Sequence, residues 1–133
     1  MVRALRKQRL AMKEEIALIT GCTSGIGLYL AHQFAKHGHP VVLVAPDAGE
    51  LDRLAAELES SYGVTAHTIA RNLEEPTAVD EIYDELSQSG IEIHILANNA
   101  GHGFWGKSWE LPVEQDISMI RLNIEAPVRM TKR

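Results

Sequence analysis

Three glycines and a few asparagines are the residues of this 133-residue chain whose spacing could do chemistry. Gly21, Gly25 and Gly27 follow the apolar run Ile16-Ala17-Leu18-Ile19-Thr20 and open directly into an amphipathic stretch. A strand, a glycine turn and a helix start, in that order, suit an anion. Backbone N–H groups can approach the ligand closely, and the helix N-terminus adds partial positive charge. Glycine serves because it tolerates positive φ and has no side chain to hold the ligand away. Asn98, Asn99, Ala100 and Gly101 form a second turn after a later apolar run, and Asn123 lies in a late helical stretch. Pro127 stands four residues after Asn123 and has no N–H. The Asn123 carbonyl therefore loses its i+4 donor and becomes a natural water site on a bent helix.

Other chemistries are disfavoured. A P-loop needs a Gly-Lys-Ser/Thr ending, and no Gly-Lys pair follows Gly21. The single cysteine, Cys22, excludes an internal disulfide and a cysteine-rich zinc site, and the six histidines show no ligand spacing, so no metal is expected. His102, just after the asparagine turn, reads either as a residue beside the ligand pocket or, as loop histidines more often are, as a solvated one. A net charge of -5 argues against nucleic acid or an anionic membrane as partner. With 45% hydrophobic residues the chain can bury a core, and no apolar run approaches a membrane span. A cytoplasmic protein is expected.

The elements that must position these residues alternate regularly. Strands are expected over Glu15–Thr20, Pro40–Ala45, Val64–Ala70 and Ile91–Ala97, the first nearly all apolar as in a parallel strand buried on both faces and the third weaker. Between them lie three helical stretches. The first, Gly25–His37, carries Ile26, Leu30 and Phe34 on one stripe and stops at Gly38. The second opens at Asp47, with Glu50 completing a capping box, and carries Leu51, Leu54, Leu58 and Tyr62. The third starts at Pro76 and carries Val79, Ile82, Tyr83 and Leu86. A final helix over Pro112–Lys132 should turn Ile117, Ile120 and Ile124 inward. Short connections of this kind build βαβ units with right-handed crossovers. Residues 1–13, basic and without an acid, are expected to be a frayed extension, and residues 14–133 one domain.

With those motifs in hand, Thr20-Gly-Cys-Thr-Ser-Gly-Ile-Gly27 resembles the Thr-Gly-x-x-x-Gly-x-Gly motif of the short-chain dehydrogenase/reductase family. Asn98-Asn99-Ala100-Gly101 and Asn123 resemble two further motifs of that family, in the same order. The resemblance covers residues 14–133. It implies a three-layer αβα, Rossmann-type doubly wound parallel sheet of strand order 3-2-1-4, ending before a fifth strand. It implies an NAD(P)-dependent oxidoreductase that moves a hydride between nicotinamide and a carbonyl or alcohol carbon of a small molecule. Gly21, Thr23, Ser24, Gly25, Ile26 and Gly27 would hold the pyrophosphate. Pro46, Asn72, Leu73, Asn98, Ala100 and Gly101 would contact the adenosine side. Asn123 would hold, through its main-chain carbonyl, a water of the catalytic proton relay.

Departures from the pattern shape the expectation. NAD-preferring relatives place Asp where Ala45 stands, and NADP-preferring ones often place Arg where Pro46 stands. Without an acid at 45 nothing repels a 2′-phosphate, so of NADP and NAD the lean is to NADP. Asn72 replaces the family's Asp, its amide oxygen still offering an acceptor to adenine. No Tyr-x-x-x-Lys exists, since Tyr29, Tyr62 and Tyr83 precede Gln33, Ala66 and Ser87. The alternative reading is accordingly an inactive nucleotide-binding module. With the fourth strand as an open edge and the last helix unpartnered, a homo-oligomer is expected through that region.

Overall fold

The computed structural model describes residues 14–133, so the expectation for the basic first thirteen lies outside the described residues. Seven regular elements run β1 (Ala17–Thr20), α1 (Gly25–Lys36), β2 (Val41–Ala45), α2 (Ala48–Tyr62), β3 (Ala66–Ala70), α3 (Ala78–Gln88) and β4 (Ile95–Ala97). A short 3-10 turn, Ser108–Glu110, then leads into α4 (Val113–Ile120), a π-turn (Arg121–Glu125) and α5 (Ala126–Lys132). The strands form one parallel sheet in the order β3-β2-β1-β4, the order expected.

The strand sequences decide the layering. Alternate residues point to opposite faces of a strand, and both faces here are apolar. Ala17, Ile19, Val41, Leu43 and Ala45 meet Ala31 and Ala35 of α1 and Leu51, Leu54 and Leu58 of α2. Leu18, Val42, Val44 and Ile69 meet Ala78, Val79, Ile82 and Leu86 of α3 and Ala126 of α5. Every residue of β1 and β2 is buried. Caps follow the sequence. Asp47 accepts from the Glu50 N–H at 2.8 Å, and Gly63 closes α2 in the left-handed region at φ 69°.

Two stripes differ from expectation. The face that α1 buries is Gly27, Ala31 and Ala35, small residues that let the helix sit close to the sheet, while Ile26 is 74% exposed. The last helix does not turn Ile117, Ile120 and Ile124 inward. They are 41%, 49% and 58% exposed, and the residues packed on the sheet are Leu122, Ala126 and Met130. That segment carries two apolar stripes, and cross-chain pairing selects one. Arg129 reaches Asp80 of α3 at 2.5 Å and also the Pro76 carbonyl, and Arg133 bonds the same Asp80. These contacts orient α5 with Ala126 down.

The hydrogen bond from Arg133 leads in holding the Asp80 carboxyl below its ordinary value of 3.8, opposed by desolvation and aided by the charges of Arg129 and Arg133 and the hydrogen bond from Arg129. A carboxylate whose pKa is lowered by folding stabilises the fold above its unfolded value. That contribution is lost as pH falls through the lowered value. Acid titration of the denaturation midpoint should therefore show a decline beginning near about pH 4, and Asp80→Asn should flatten that part of the curve.

Candidate functional site

The site is built on Thr20, the one buried polar residue among those described. Its hydroxyl sits at the end of β1 and serves the neighbouring turn. It accepts from the backbone N–H of Asn99 at 3.0 Å and of Ala100 at 2.9 Å. The Asn99 amide returns the tie, donating to the carbonyls of Thr20 at 3.0 Å and Gly21 at 3.1 Å. The glycine turn and the asparagine turn are thereby laced together at the C-terminal edge of the sheet. Open α/β sheets bind ligands at that edge, where the strand order reverses, as it does here between β1 and β4.

Close approach explains the glycines. A Cβ on Gly27 would lie 2.2 Å from the Gly21 carbonyl oxygen and 2.4 Å from the Asn99 amide nitrogen. Gly21 and Gly25 take positive φ of 63° and 54°. The turn delivers the chain to α1, whose first turn carries no acid, whereas α2, α3 and α4 each carry at least one. Ser24 sits at the N-cap with its side chain unused for capping. The N-terminal positive end of α1 is thus left for an external anion.

A groove of about 470 Å³ opens above this turn. Of the residues singled out from the sequence, Gly21, Ser24, Gly25, Ile26, Pro46, Asn72, Leu73, Ala100 and Gly101 line it. Thr23, Gly27, Asn98 and Asn123 do not. Gly27 is buried beneath the turn. Asn98 is turned the other way, its amide donating to Thr131 of α5 at 3.2 Å. The extended chain after β4 alternates, so Asn98 and Asn99 face opposite sides. Asp47 is occupied as a cap, leaving Ala45 and Pro46 as the groove's wall at the end of β2.

Asn72 differs from expectation in what it offers. Its oxygen accepts from the Glu74 N–H at 3.0 Å, the Asx-turn pattern, so its amide nitrogen is the group without a partner. Asn123 grips the backbone of His102 at both ends. It accepts from the His102 N–H at 3.0 Å and donates to the His102 carbonyl at 2.8 Å. The helix widens at this point, the Ala126 N–H reaching back to the Arg121 carbonyl, just before Pro127. Such π-turns gather at functional sites.

Sequence reasoning missed Arg71 and Glu74 and left His102 between a pocket-side and a solvated reading; all three line the groove. His102 is half-buried and paired. Its Nε2 lies 2.6 Å from Glu74, and no spacing rule connects two loops separated by that much chain. Arg71 is held by Glu81 at 2.8 Å and by Glu85 at 3.5 Å. Cys22 is fully buried, and that burial pushes its thiol up to about 11. A second groove, of about 480 Å³, runs beside the open edge of β4 and is lined mainly by apolar residues with Glu92 and Arg133 at its rim. It lacks the glycine turn and helix N-terminus that an anionic ligand requires.

A doubly wound parallel sheet with an anion-ready turn at its switch point defines a Rossmann-type nucleotide-binding unit. Residues 15–133 match the family model described as short chain dehydrogenase. The chain belongs to the short-chain dehydrogenase/reductase family, and it corresponds to the N-terminal part of that domain. It is 35% identical over 125 residues to the human (Homo sapiens) very-long-chain 3-oxoacyl-CoA reductase, covering 89% of this chain and 38% of that protein. Among solved structures, it resembles a bulky-bulky ketone specific alcohol dehydrogenase from Comamonas testosteroni. The identity there is 36% and the TM-score 0.82, over 89% of this chain and 47% of that one. It also resembles the L-sorbose reductase of Gluconobacter frateurii, solved with NADPH and L-sorbose, at 34% identity and TM-score 0.85, over 90% and 46%. The chain thus spans less than half the length of these relatives.

Two measurements check the site's construction. Gly27→Ala should cost at least about 1–3 kcal/mol in chemical denaturation, because both atoms in its way belong to the laced turn. Cys22 should resist iodoacetamide in the folded protein near pH 8 and react at the rate of unfolding, since only the thiolate attacks.

Proposed function

We propose that these residues form the cofactor-holding part of an NADP(H)-dependent oxidoreductase acting on a carbonyl or alcohol carbon of a small molecule. The observation that carries the reading is the anion-ready turn of Gly21–Gly27 at the switch point of the sheet, open to the groove. The bound nicotinamide would supply the hydride chemistry. Gly21, Ser24, Gly25 and Ile26 bind the pyrophosphate, and Pro46, Asn72, Leu73 and Ala100 enclose the adenosine. Asn123 acts through its main-chain carbonyl, which Pro127 deprives of a donor, to keep a water in a proton relay. We assign binding rather than turnover to these 133 residues, because they contain no Tyr-x-x-x-Lys.

NADP is preferred in this reading. Ala45 puts no carboxylate against a 2′-phosphate, and among the described residues Arg71 is the one Arg or Lys that lines the groove. The NADPH bound by the sorbose reductase supports the same choice. The exposed stripe Ile117, Ile120 and Ile124 makes a homo-oligomer the assembly we propose.

Calorimetric titration tests the cofactor reading. NADPH should bind at least about tenfold more tightly than NADH, roughly 1.4 kcal/mol. Ala45→Asp should reverse that order by repelling the phosphate. Equal affinities would overturn the preference. Failure of both cofactors to bind below about millimolar would overturn the site itself.

A further inference from the structure

A continuous set of contacts joins the adenosine end of the groove to Asn123, and His102 stands in its middle. At one end the Asn72 side chain is fixed by the Glu74 N–H. The Glu74 carboxylate lies 2.6 Å from Nε2 of His102. A carboxylate oxygen accepts, so Nε2 carries the proton and donates, and the Ser118 hydroxyl of α4 sits 3.2 Å from the same nitrogen. The backbone of His102 is held at both N–H and C=O by Asn123. Nothing in the sheet requires this bridge. Glu74 follows β3 and His102 follows β4, the two opposite edge strands, so their side chains meet across the end of the sheet rather than through strand pairing. The contact is charge-assisted and half-buried, with side-chain exposures of 30% for His102 and 33% for Glu74, which sets it above an ordinary surface pair.

We propose that His102 is a positioning residue that fastens the adenosine-contacting turn Asn72–Glu74 to Asn123, so that filling one end of the groove moves the asparagine at the other. This rests on the cofactor reading above for the identity of the ligand, while the bridge itself belongs to the chain alone. Asn123 does not line the groove, so a nucleotide fragment reaches it only through intervening groups. Leu122 and Gly101 also line the groove beside Asn123, and His102 is the residue whose side chain and backbone link Glu74 to the Asn123 carboxamide by hydrogen bonds.

Side-chain amide NMR on the full chain tests this in two arms. In the unliganded protein, Glu74→Ala should shift the Asn123 carboxamide and the His102 Nε2 signals. Glu74→Gln, which keeps an accepting oxygen, should restore both, a rescue that general loosening would not produce. Asn123 signals unmoved by Glu74→Ala would overturn the proposal. The second arm adds 2′-phospho-ADP-ribose, which lacks nicotinamide. It should move the Asn123 carboxamide in the unaltered protein. In Glu74→Ala and His102→Ala, folded by circular dichroism, that movement should vanish and affinity fall about tenfold. Binding with Asn123 unmoved would also overturn it. Should the unaltered protein fail to bind the fragment, the cofactor reading falls, and the unliganded comparison of Glu74→Ala with Glu74→Gln still decides the bridge.

Discussion

The Thr20 hydroxyl is the interaction on which the rest depends. It is buried at the end of a strand whose other residues are apolar, and it accepts two backbone N–H groups from the turn after β4. A buried donor left without a partner costs about 1–3 kcal/mol. The chain can therefore not pull these turns apart without leaving two such donors stranded. Asn99 completes the lacing by donating to the two carbonyls on either side of the bend. Gly27 is then forced, because the bend places the Gly21 carbonyl where any Cβ would stand. The turn at the groove is thus held rigid from beneath by Thr20, which does not itself line the groove, and such preorganisation lowers the entropy lost when a ligand binds.

Electrostatics follows the same division. Asp47, Glu50, Asp80 and Glu81 occupy the first turns and caps of α2 and α3, satisfying those helix ends internally. The start of α1 has no such acid and an unused Ser24. Its positive end is the one the groove shares. The groove lies over the glycine turn that carries the family motif.

Much of this was legible in the sequence. Period and punctuation placed all four strands, because β1 and β2 are apolar on both faces and the helices end at glycines or polar caps, while their order came from the family resemblance. The strand after Gly90 proved shorter than Ile91–Ala97, beginning at Ile95, since only there does it pair with β1. Six of the candidate ligand residues in the glycine and asparagine motifs line the groove, together with Pro46, Asn72 and Leu73. What could not be read were contacts between segments distant in the chain. Which stripe of the last helix faces inward is decided by Asp80 with Arg129, 49 residues apart. The meeting of Glu74 with His102 spans 28 residues. Asn98 misled because the motif gives a residue's place in the turn but not the face it presents.

The most direct test of the central claim is an amide chemical-shift titration with NADPH. The account predicts that the largest changes fall on Ser24, Gly25 and Ile26 at the start of α1, with smaller ones at Asn72, Ala100 and Gly101. Changes centred instead on the groove beside β4, at Gly90, Ile91 and Met130, would contradict it.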